Sequence, residues 1–595
     1  MSNTQPQGNE EVFLATTALE DFWDTSRPMV FLGEWCLLYG RRSFWEPLAG
    51  RLLDTPYDSA DAAENACCYL NRVYEQTLSL LGTALNASHG RNHRRRYWRI
   101  LIGPWLQLYL SAVYDRFIHL KHALAQYPDC TTLVLSAESF VVPTDTLHFA
   151  CLLAEDSYNL QLYTRILTVL GKEFPGKALQ APHNSLCGKL LGNSWKRRAV
   201  SYAAKIYAGC SSKSFPAILL RNSYFSKQVE LCLAVKNIGR VLPVWNQAVQ
   251  GPSFEVDPVK RGRLQEIEIG KEEFAQCLST MLAMDLPQCF VEGFDSVGSK
   301  AGDSYPTKVA AIFSANAWYY DEIFKQWAAT SADDGMLLLG TQHGGNYGAL
   351  NMMPSENHEL AIVDRYYSWG WERSDCQARV IPLPATKLAG RKKIGADNKR
   401  PGILWAATSA QRYVIQFPFL PRHFNEYLAW QSRFVHSLHK RVLSEVRYRP
   451  HYEDYGWGTV ARIKDGVPDL QVESWGVPFQ ASLKNCRLYV CDHLSTTFAE
   501  ALAANKPTIL FWNPQANTLR PEALPYYDLL RGGGILFDSP EGAGAAVNQV
   551  YDDVETWWHD LERQRAVGIF CERFARNSPD AIALWSAEFK RSSDA

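Results

Sequence analysis

The stretch that decides the fold is "RLYVCDHLSTTFAEALAANKPTILFWNP", residues 487–514. It begins with the apolar run "LYVC", passes through the polar turn "DHLSTT", continues as the helix-like segment "FAEALAAN" and ends in a second apolar run, "KPTILFW". Two buried strands joined by a helix are typical of a parallel α/β sheet. The sequence therefore predicts a strand–turn–helix–strand unit, with the polar turn at the carboxyl end of its first strand.

The same alternation of apolar runs and helix-length segments occurs on both sides of this unit. Apolar runs begin near residues 402, 443 and 532, and a second series lies upstream in segments 308–315, 335–342, 358–370 and 378–384. Each series predicts a doubly wound parallel sheet, and such sheets bind ligands outside the carboxyl ends of their strands. The chain is thus predicted to be an α/β protein with two Rossmann-like domains facing a cleft.

The N-terminal half carries additional segments. "MVFLG" (29–33) has the pattern of a first strand, and residues 60–125 repeat apolar side chains at helical spacing. Residues 145–290 read as helical or irregular. We therefore predict a large helical insertion in this half.

A basic run separates the two halves. "KLAGRKKIGADNKRP" (387–401) contains six Lys or Arg residues and one Asp. This composition is typical of a solvated interdomain loop, and the alternative is a basic lip over an anionic ligand or lipid headgroups. The predicted boundaries are 1–390 for the first α/β domain, 391–401 for the linker, 402–545 for the second α/β domain and 546–595 for terminal helices that can pack back on the first.

Bulk composition limits the classes of function. A chain of 595 residues is too long to fold around a single hydrophobic core. Its formal net charge of −1 gives no overall field that attracts nucleic acid. The N-terminus lacks a signal-peptide pattern, and the most apolar stretch, 100–114, is shorter than the roughly 20 residues that span a bilayer. Most of the 14 cysteines lie in apolar stretches and read as buried thiols. We expect a cytoplasmic protein, with peripheral association at the inner face of the membrane left open.

One histidine stands on an unusually flexible turn. In "GTQHGGNYG" (340–348), His343 follows an apolar strand and precedes Gly344 and Gly345, which let a ligand approach the backbone. An imidazole in that place can act as a general base or bind phosphate. The alternative is a structural turn with an incidental histidine. The turn matches neither GxGxxG nor the Walker pattern, so neither a dinucleotide-binding fold nor an ATPase is indicated.

A second turn carries candidate phosphate ligands. In "VRYRPHYEDYGWG" (446–458), Arg447 and Arg449 suit bidentate contacts to phosphate, and His451 can act as an acid toward a leaving phosphate. The alternative is a surface turn with solvated ion pairs.

The polar turn of the deciding stretch places Ser495, Thr496 and Thr497 at a helix start. Free N–H groups and the helix dipole favour a phosphate there. Glu500 follows one turn later, where a carboxylate can accept hydrogen bonds from ribose hydroxyls. The alternative is a capping box formed by Thr497 and Glu500.

Glu34, in "FLGEWCLLY" (31–39), is a second candidate base, with a structural helix cap as the alternative. The sequence has no evident DxD metal motif, and it predicts no metal site.

Six stretches together resemble bacterial transferases of cell-surface carbohydrate biosynthesis. They are spread over most of the chain: "FLGEWCLLYGRRSFW" (31–45), "RRYWRILIGPWL" (95–106), "TQHGGNYG" (341–348), "DRYYSWGW" (364–371), "RYRPHYEDYGW" (447–457) and "DHLSTTFAEALAANKPTI" (492–509). The C-terminal half looks like the nucleotide-sugar domain of GT-B transferases. It is more distantly similar to enzymes that use CMP-activated acidic sugars, such as Kdo and nonulosonic acids, and to CDP-glycerol and CDP-ribitol phosphotransferases.

The resemblance implies a metal-independent glycosyltransferase that moves a sugar from a nucleotide-activated donor, expected to be a CMP-linked acidic sugar, to a carbohydrate or lipid-linked acceptor of the cell surface. The donor is a co-substrate, and no bound cofactor is implied. The nucleotide is expected on the C-terminal domain at Ser495–Thr497 and the acceptor on the N-terminal domain, with His343-Gly344 similar to a catalytic His-Gly turn. Pro450-His451 reverses the His-Pro order of the CMP-sugar enzymes. Two alternatives stay open: a CDP-alditol phosphotransferase, and a non-catalytic carbohydrate-binding or scaffold protein.

Overall fold

The structure is a computed structural model of the chain, and it describes residues 11–57, 59, 61–180, 218–245 and 252–593. Two six-stranded sheets dominate the described residues, and their strands are paired in parallel throughout. Helices cover the sheets, as parallel strands that are buried on both faces require. The predicted α/β class with two doubly wound sheets is confirmed.

The first strands form two small sheets. A three-stranded parallel sheet contains β1 (Phe13–Ala15), β2 (Met29–Phe31) and β3 (Gly50–Leu52), and β4 (Val134–Leu135) pairs with β5 (Gly176–Lys177). The strand predicted at 29–33 therefore exists as β2, but it lies outside the large sheets.

The N-terminal large sheet has the strand order β11-β10-β9-β8-β6-β7. Its strands are β6 (Ile218–Arg221), β7 (Val241–Val244), β8 (Ala311–Ser314), β9 (Leu337–Thr341), β10 (Arg365–Ser368) and β11 (Arg379–Pro382). The winding direction reverses between β6 and β8, which is the switch point where ligands of such sheets bind. The prediction of helical or irregular structure over 145–290 is wrong at β6 and β7, because four-residue apolar runs are too short to establish a period.

The C-terminal large sheet has the strand order β14-β13-β12-β15-β16-β17. Its strands are β12 (Ile403–Ala406), β13 (Val446–Arg449), β14 (Gln471–Val472), β15 (Leu488–Cys491), β16 (Thr508–Phe511) and β17 (Leu536–Phe537). Every residue of β12, β15 and β16 is buried, which explains their continuous apolar runs. The switch point lies between β12 and β15, so the polar turn after β15 lies at the place where ligands are expected.

Long helices build the predicted insertion and the outer layers of the N-terminal half. Among the described residues, the α-helices of this half are Arg42–Trp45, Ala62–His89, Arg95–Gln126, Thr146–Leu152, Asp156–Val169, Lys227–Lys236, Pro258–Leu264, Glu273–Asp285, Phe294–Ser304, Ala317–Tyr320, Glu322–Asp333 and Pro354–Ile362. The last of them extends over residues 358–362 of the segment 358–370 that was predicted to be one strand, and that prediction is wrong before Arg365. Pro354 opens this helix at its first turn, where its fixed φ is favourable.

The α-helices of the C-terminal half are Pro421–Ser437, Lys440–Leu443, Thr459–Gly466, Phe479–Asn485, Thr496–Ala503, Leu524–Gly532, Pro540–Val550, Val554–Trp558, Leu561–Phe574 and Ala581–Ser593. The final helix crosses to the N-terminal sheet. Its Trp585 is 1% exposed, donates a hydrogen bond to the Pro384 carbonyl at 2.8 Å and packs edge-on against Phe313 of β8. The end of the chain therefore ties the two halves together.

No helix within the described ranges combines the length and the apolar character needed to cross a bilayer. In the same ranges eleven cysteines are free thiols, seven of them buried, whereas Cys151 is disulfide-bonded. The expectation of buried thiols is wrong for Cys151.

Candidate functional site

Two adjoining cavities lie between the large sheets. The N-side cavity, of about 460 Å³, is lined chiefly by Asn316, Tyr319, His343–Tyr347, Ser495 and Thr496. The C-side cavity, of about 520 Å³, is lined chiefly by Thr408–Gln411, Phe424, Tyr427, Trp430, His451 and Trp512. Five residues line both: Asn346, Thr408, Gln416, His493 and Leu494. The two cavities therefore form one continuous cleft at the carboxyl ends of strands from both sheets, the position at which doubly wound sheets bind ligands.

His343 follows β9 and lines the N-side cavity. Its Nε2 lies 2.9 Å from Oε1 of Glu359, which stands in the helix Pro354–Ile362. The Tyr347 hydroxyl lies 2.8 Å from the same nitrogen and donates its proton to Glu359. A carboxylate offers only acceptor oxygens, so the contact with Glu359 favours the tautomer with the proton on Nε2. Nδ1 is then the nitrogen that can accept a proton. The arrangement suits a general base for a hydroxyl group bound in the cavity.

Three tyrosines hold the Glu359 carboxylate in place. Tyr319 and Tyr347 each donate to Oε1 at 2.8 Å, and Tyr366 donates to Oε2 at 2.9 Å. The Glu359 side chain is 1% exposed, and these donors compensate for the loss of water around it. Burial and the neighbouring carboxylate raise the pKa values of the three tyrosines well above their usual range, so they remain neutral donors.

Buried Gln342 fixes the shape of the turn that carries His343. Its Nε2 donates to the Gly344 carbonyl at 2.7 Å, and its Oε1 accepts from the Trp369 backbone N–H and the Trp371 indole. These bonds are made inside the protein, so the turn keeps its geometry without a ligand.

Gly345 is a point of direct backbone contact between the two halves. Its N–H donates to Oγ1 of Thr496 at 3.0 Å, and a Cβ at this position would lie 2.3 Å from the carbonyl oxygen of Ser495. Only glycine permits so close an approach between two backbones. The histidine turn therefore packs directly against the helix start that was predicted to bind phosphate.

We expect Gly345→Ala to destabilise the protein by about 1–3 kcal/mol, because the new methyl group meets backbone of the opposite half and cannot be accommodated by a rotamer change. Thermal unfolding measures this effect. Gly344→Ala is the matched control, since a Cβ at Gly344 would be no closer than 3.5 Å to its nearest neighbour. Equal melting temperatures for the two variants would contradict the close approach.

A second histidine–carboxylate pair follows β15. Nδ1 of His493 lies 2.9 Å from Oδ1 of Asp492, and the His493 side chain is 14% exposed. Burial opposes the charged imidazole, but the Cys491 sulfur and the Asp492 carboxylate outweigh it and raise the pKa of His493 to about 10. His493 is therefore a cation at neutral pH, placed where the two cavities join.

The C-side cavity has an apolar lining with a few amide groups. Its rings come from Phe419, Phe424, Tyr427, Trp430 and Trp512, and its amides from Gln411, Gln416, Asn513 and Asn517. Among the described residues, Oε1 of Gln411 and Oδ1 of Asn346 are buried and have no hydrogen-bond partner. Apolar walls with a few oriented polar groups are typical of small-molecule sites.

The predicted phosphate ligands after β13 divide into two groups. His451 lines the C-side cavity, and burial lowers its pKa, so it is uncharged at neutral pH. Arg449 instead pairs with Glu473 at 2.6 Å, with both side chains below 10% exposed, and Arg447 lies 3.8 Å from the same carboxylate. Neither arginine lines the two cavities. A phosphate contact would require Arg449 to leave a buried carboxylate, which carries a high free-energy cost.

Glu500 and Thr497 also lie outside the cavity linings, although Ser495 and Thr496 belong to them. The Glu500 carboxylate lies 2.6 Å from Nζ of Lys387 and 2.8 Å from Nη1 of Arg391. The Thr497 hydroxyl lies 2.8 Å from that of Ser495. Two cations of the basic run 387–401 thus neutralise Glu500, whose side chain is buried.

Glu34 lies beside the helix Pro421–Ser437 and is not among the residues that line the cleft cavities. Burial raises the pKa of its carboxyl group. The structure does not bring it together with His343.

Sequence reasoning missed the two carboxylates behind the histidines and missed His493 itself. Asp492 and His493 stand immediately after a buried strand, and this position was a usable signal. The sequence carried no such signal for Glu359, because the segment that contains it, 358–370, was predicted to be a strand. Within the described residues, no group of three or more His, Cys, Asp or Glu side chains is arranged to hold a metal ion.

The chain shows limited similarity to solved structures. MurG of Acinetobacter baumannii is 8% identical, with a TM-score of 0.30, and the match covers 63% of this chain and 99% of that one. The glycosyltransferase SnogD of Streptomyces nogalater is 14% identical, with a TM-score of 0.34, covering 64% and 100%. HepE of Anabaena, solved in complex with UDP, is 11% identical, with a TM-score of 0.32, covering 63% and 99%.

No curated protein matches the chain significantly. A family model does match it, over residues 12–589, and its description is LIC12162 family transferase. This match includes both large sheets, both histidine–carboxylate pairs and the final helix. The chain therefore belongs to the LIC12162 family of transferases.

Proposed function

We propose that this transferase moves a sugar from a nucleotide-activated donor to a carbohydrate acceptor of the cell surface. The observation that carries the proposal is the contact between two turns. The turn that bears His343, a base oriented by Glu359, lies directly against the helix start Ser495–Thr496. A base for an acceptor hydroxyl and an anion-binding helix terminus thus lie in one cleft.

The transfer step uses these two walls. Nδ1 of His343 takes the proton of the acceptor hydroxyl, whose oxygen forms a bond to the anomeric carbon of the donor sugar. The bond from that carbon to the phosphate oxygen breaks, and its electron pair leaves with the phosphate. The N–H groups at the start of the helix Thr496–Ala503 stabilise the departing charge, so the proposed step needs no metal.

The C-side cavity is the proposed nucleoside site. Its aromatic walls offer faces for a base, and the unpartnered oxygens of Gln411 and Asn346 can accept hydrogen bonds from amino or hydroxyl groups. The donor class that we propose, a CMP-linked acidic sugar, rests on the resemblance of the Ser495–Thr497 turn to the CMP-sugar enzymes. Arg447, Arg449, Thr497, Glu500 and Glu34 are left out of the proposed contacts, because none of them lines the two cavities.

The acceptor is proposed to be a carbohydrate or a lipid-linked carbohydrate that enters from the N-side cavity. In this proposal the protein acts in the cytoplasm, at the inner face of the membrane when its acceptor is lipid-linked. The proposal rests on the resemblance to transferases of cell-surface carbohydrate biosynthesis.

A thermal-shift panel with CMP, CDP, UDP, GDP and ADP tests the donor class. A nucleotide present at about 100 times its dissociation constant stabilises the fold by roughly 2.7 kcal/mol, because it binds the folded state alone. We expect a response to the cytidine nucleotides and none to the other three. A response to none of the five would contradict a nucleotide-dependent transferase and favour a carbohydrate-binding or scaffold protein.

Product analysis then separates the two chemistries. A glycosidic bond in the product supports sugar transfer. A phosphodiester would replace our proposal with transfer of an alditol phosphate from a CDP donor, in which the attacked atom is phosphorus.

A further inference from the structure

The cleft is poor in cationic side chains. Among the described residues that line the two cavities, none is a lysine or an arginine. The nearby arginine of β13, Arg449, is committed to Glu473. A negatively charged ligand in this cleft therefore has to find its counter-charge among the histidines, which are His343, His423, His451 and His493.

The surroundings of these histidines differ. Burial lowers the pKa values of His423 and His451, which leaves both rings neutral at pH 7. His343 is hydrogen-bonded to Glu359 and is assigned to the acceptor hydroxyl in our proposed function. His493 is the histidine of the cavity lining that its neighbours hold in the charged form.

Asp492 anchors the charged form of His493. Its Oδ2 accepts from the Trp405 indole at 2.9 Å and from the Gln431 amide at 2.7 Å, and its Oδ1 accepts from the Tyr427 hydroxyl at 2.9 Å. The carboxylate is thus fixed from three sides, and His493 supplies the fourth donor through Nδ1. Nε2–H of His493 is then the donor that remains for a ligand.

The position of His493 matches the path of a donor phosphate. His493 lines both cavities, so it stands between the proposed nucleoside site and the proposed base. Two residues later Ser495 begins the helix Thr496–Ala503, and its side chain makes no capping hydrogen bond. The imidazolium and the helix start together form one wall of the junction.

We propose that His493, held by Asp492, is the positively charged ligand of the donor phosphate and takes the place of an arginine or lysine, which the described lining of the cleft lacks. This inference rests on the proposed function. During transfer the phosphate oxygen receives the electron pair of the broken bond, and its growing negative charge lies beside the imidazolium. His493 keeps its proton in this step, and the acceptor proton goes to His343. Asp492 acts as a positioning residue.

The test compares matched nucleosides and nucleoside 5′-monophosphates. Dissociation constants are measured by calorimetry for cytidine and CMP, uridine and UMP, guanosine and GMP, and adenosine and AMP, with the unmodified protein and with His493→Gln. We expect His493→Gln to weaken binding of the preferred monophosphate about 10- to 100-fold, the value of a hydrogen bond to a charged group, while affinity for its nucleoside is unchanged. Exposed His436 supplies the control variant His436→Gln, which should retain both affinities.

Unchanged nucleoside binding shows that the variant is folded, so a structural defect cannot imitate the expected result. If His493→Gln keeps the full preference for the monophosphate, the inference is overturned and the proposed function stands. If the unmodified protein binds none of the eight compounds, the proposed function itself fails.

The pH dependence supplies a second readout. The groups that face His493 are Cys491 and Asp492 beside it, Tyr427 from the helix Pro421–Ser437, His451 after β13, and His343 across the N-side cavity. Because Cys491 and Asp492 outweigh the effect of burial and raise the pKa of His493 to about 10, the monophosphate preference should persist from about pH 7 to about pH 9. An ordinary histidine, whose pKa is about 6.5, would already be mostly uncharged at pH 7 to 9. Loss of the preference by about pH 8 would overturn the assignment of His493.

Discussion

Replacing His343 with alanine is expected to lower kcat about 10²- to 10⁴-fold, the range that a positioned general base contributes. The imidazole is oriented by a buried carboxylate, and it stands on a turn whose shape is fixed by Gln342. The variant removes the proton acceptor and leaves the donor wall of the cleft in place. Nucleotide affinity should therefore remain within about twofold of that of the unmodified protein, since the proposed base makes no contact with the donor.

Initial-rate kinetics with the donor identified by the thermal-shift panel measure this effect, and calorimetry measures nucleotide affinity in parallel. His436→Ala is the control for the loss of an imidazole, because His436 lies exposed on the helix Pro421–Ser437. A His343→Ala protein that turns over at the normal rate would remove His343 from the base role. Loss of nucleotide binding together with activity would assign His343 to the phosphate instead.

Local patterns predicted the parts of the fold that repeat over several residues. The run "LYVC", the helix after it and the run "TILF" form one regular unit, and the structure has them as β15, Thr496–Ala503 and β16. The strands β6 and β7 were missed because each contains only four residues within a long segment of mixed character. The strand predicted over 358–370 was too long because a helix and a strand adjoin there with two residues between them.

The site was predictable where it depends on the ends of strands and not where it depends on side-chain partners. The turns at His343 and Ser495 were placed correctly at carboxyl ends, since this position follows from the apolar runs before them. Arg449 has its partner 24 residues away, at Glu473, and Glu500 pairs with Arg391, 109 residues away. No local pattern indicates such pairs, so both residues were predicted to be available to a ligand.

The second large effect is expected at Glu359. We expect Glu359→Gln to lower kcat about 10- to 100-fold, because an imidazolium forms opposite Glu359 during transfer and the amide removes the negative charge that stabilises it. The amide oxygen can still accept from Nε2 of His343, so orientation is partly preserved. The loss is therefore smaller than for the removal of the imidazole.

A double-mutant cycle with His343→Ala distinguishes this electrostatic role from a structural one. If the Glu359 carboxylate acts through the imidazole, Glu359→Gln should lower kcat no further once His343 has been replaced by alanine. Glu356→Gln is the matched control: Glu356 lies one turn earlier in the same helix, is fully buried, and contacts Arg373, Arg520 and the Gly348 N–H rather than the imidazole. That variant should lose stability and change kcat by the same factor with and without His343. Since both substitutions disturb a buried carboxylate, an equal effect of Glu359→Gln in the two backgrounds would mean that Glu359 only supports the fold, and the paired action of His343 and Glu359 would have to be abandoned.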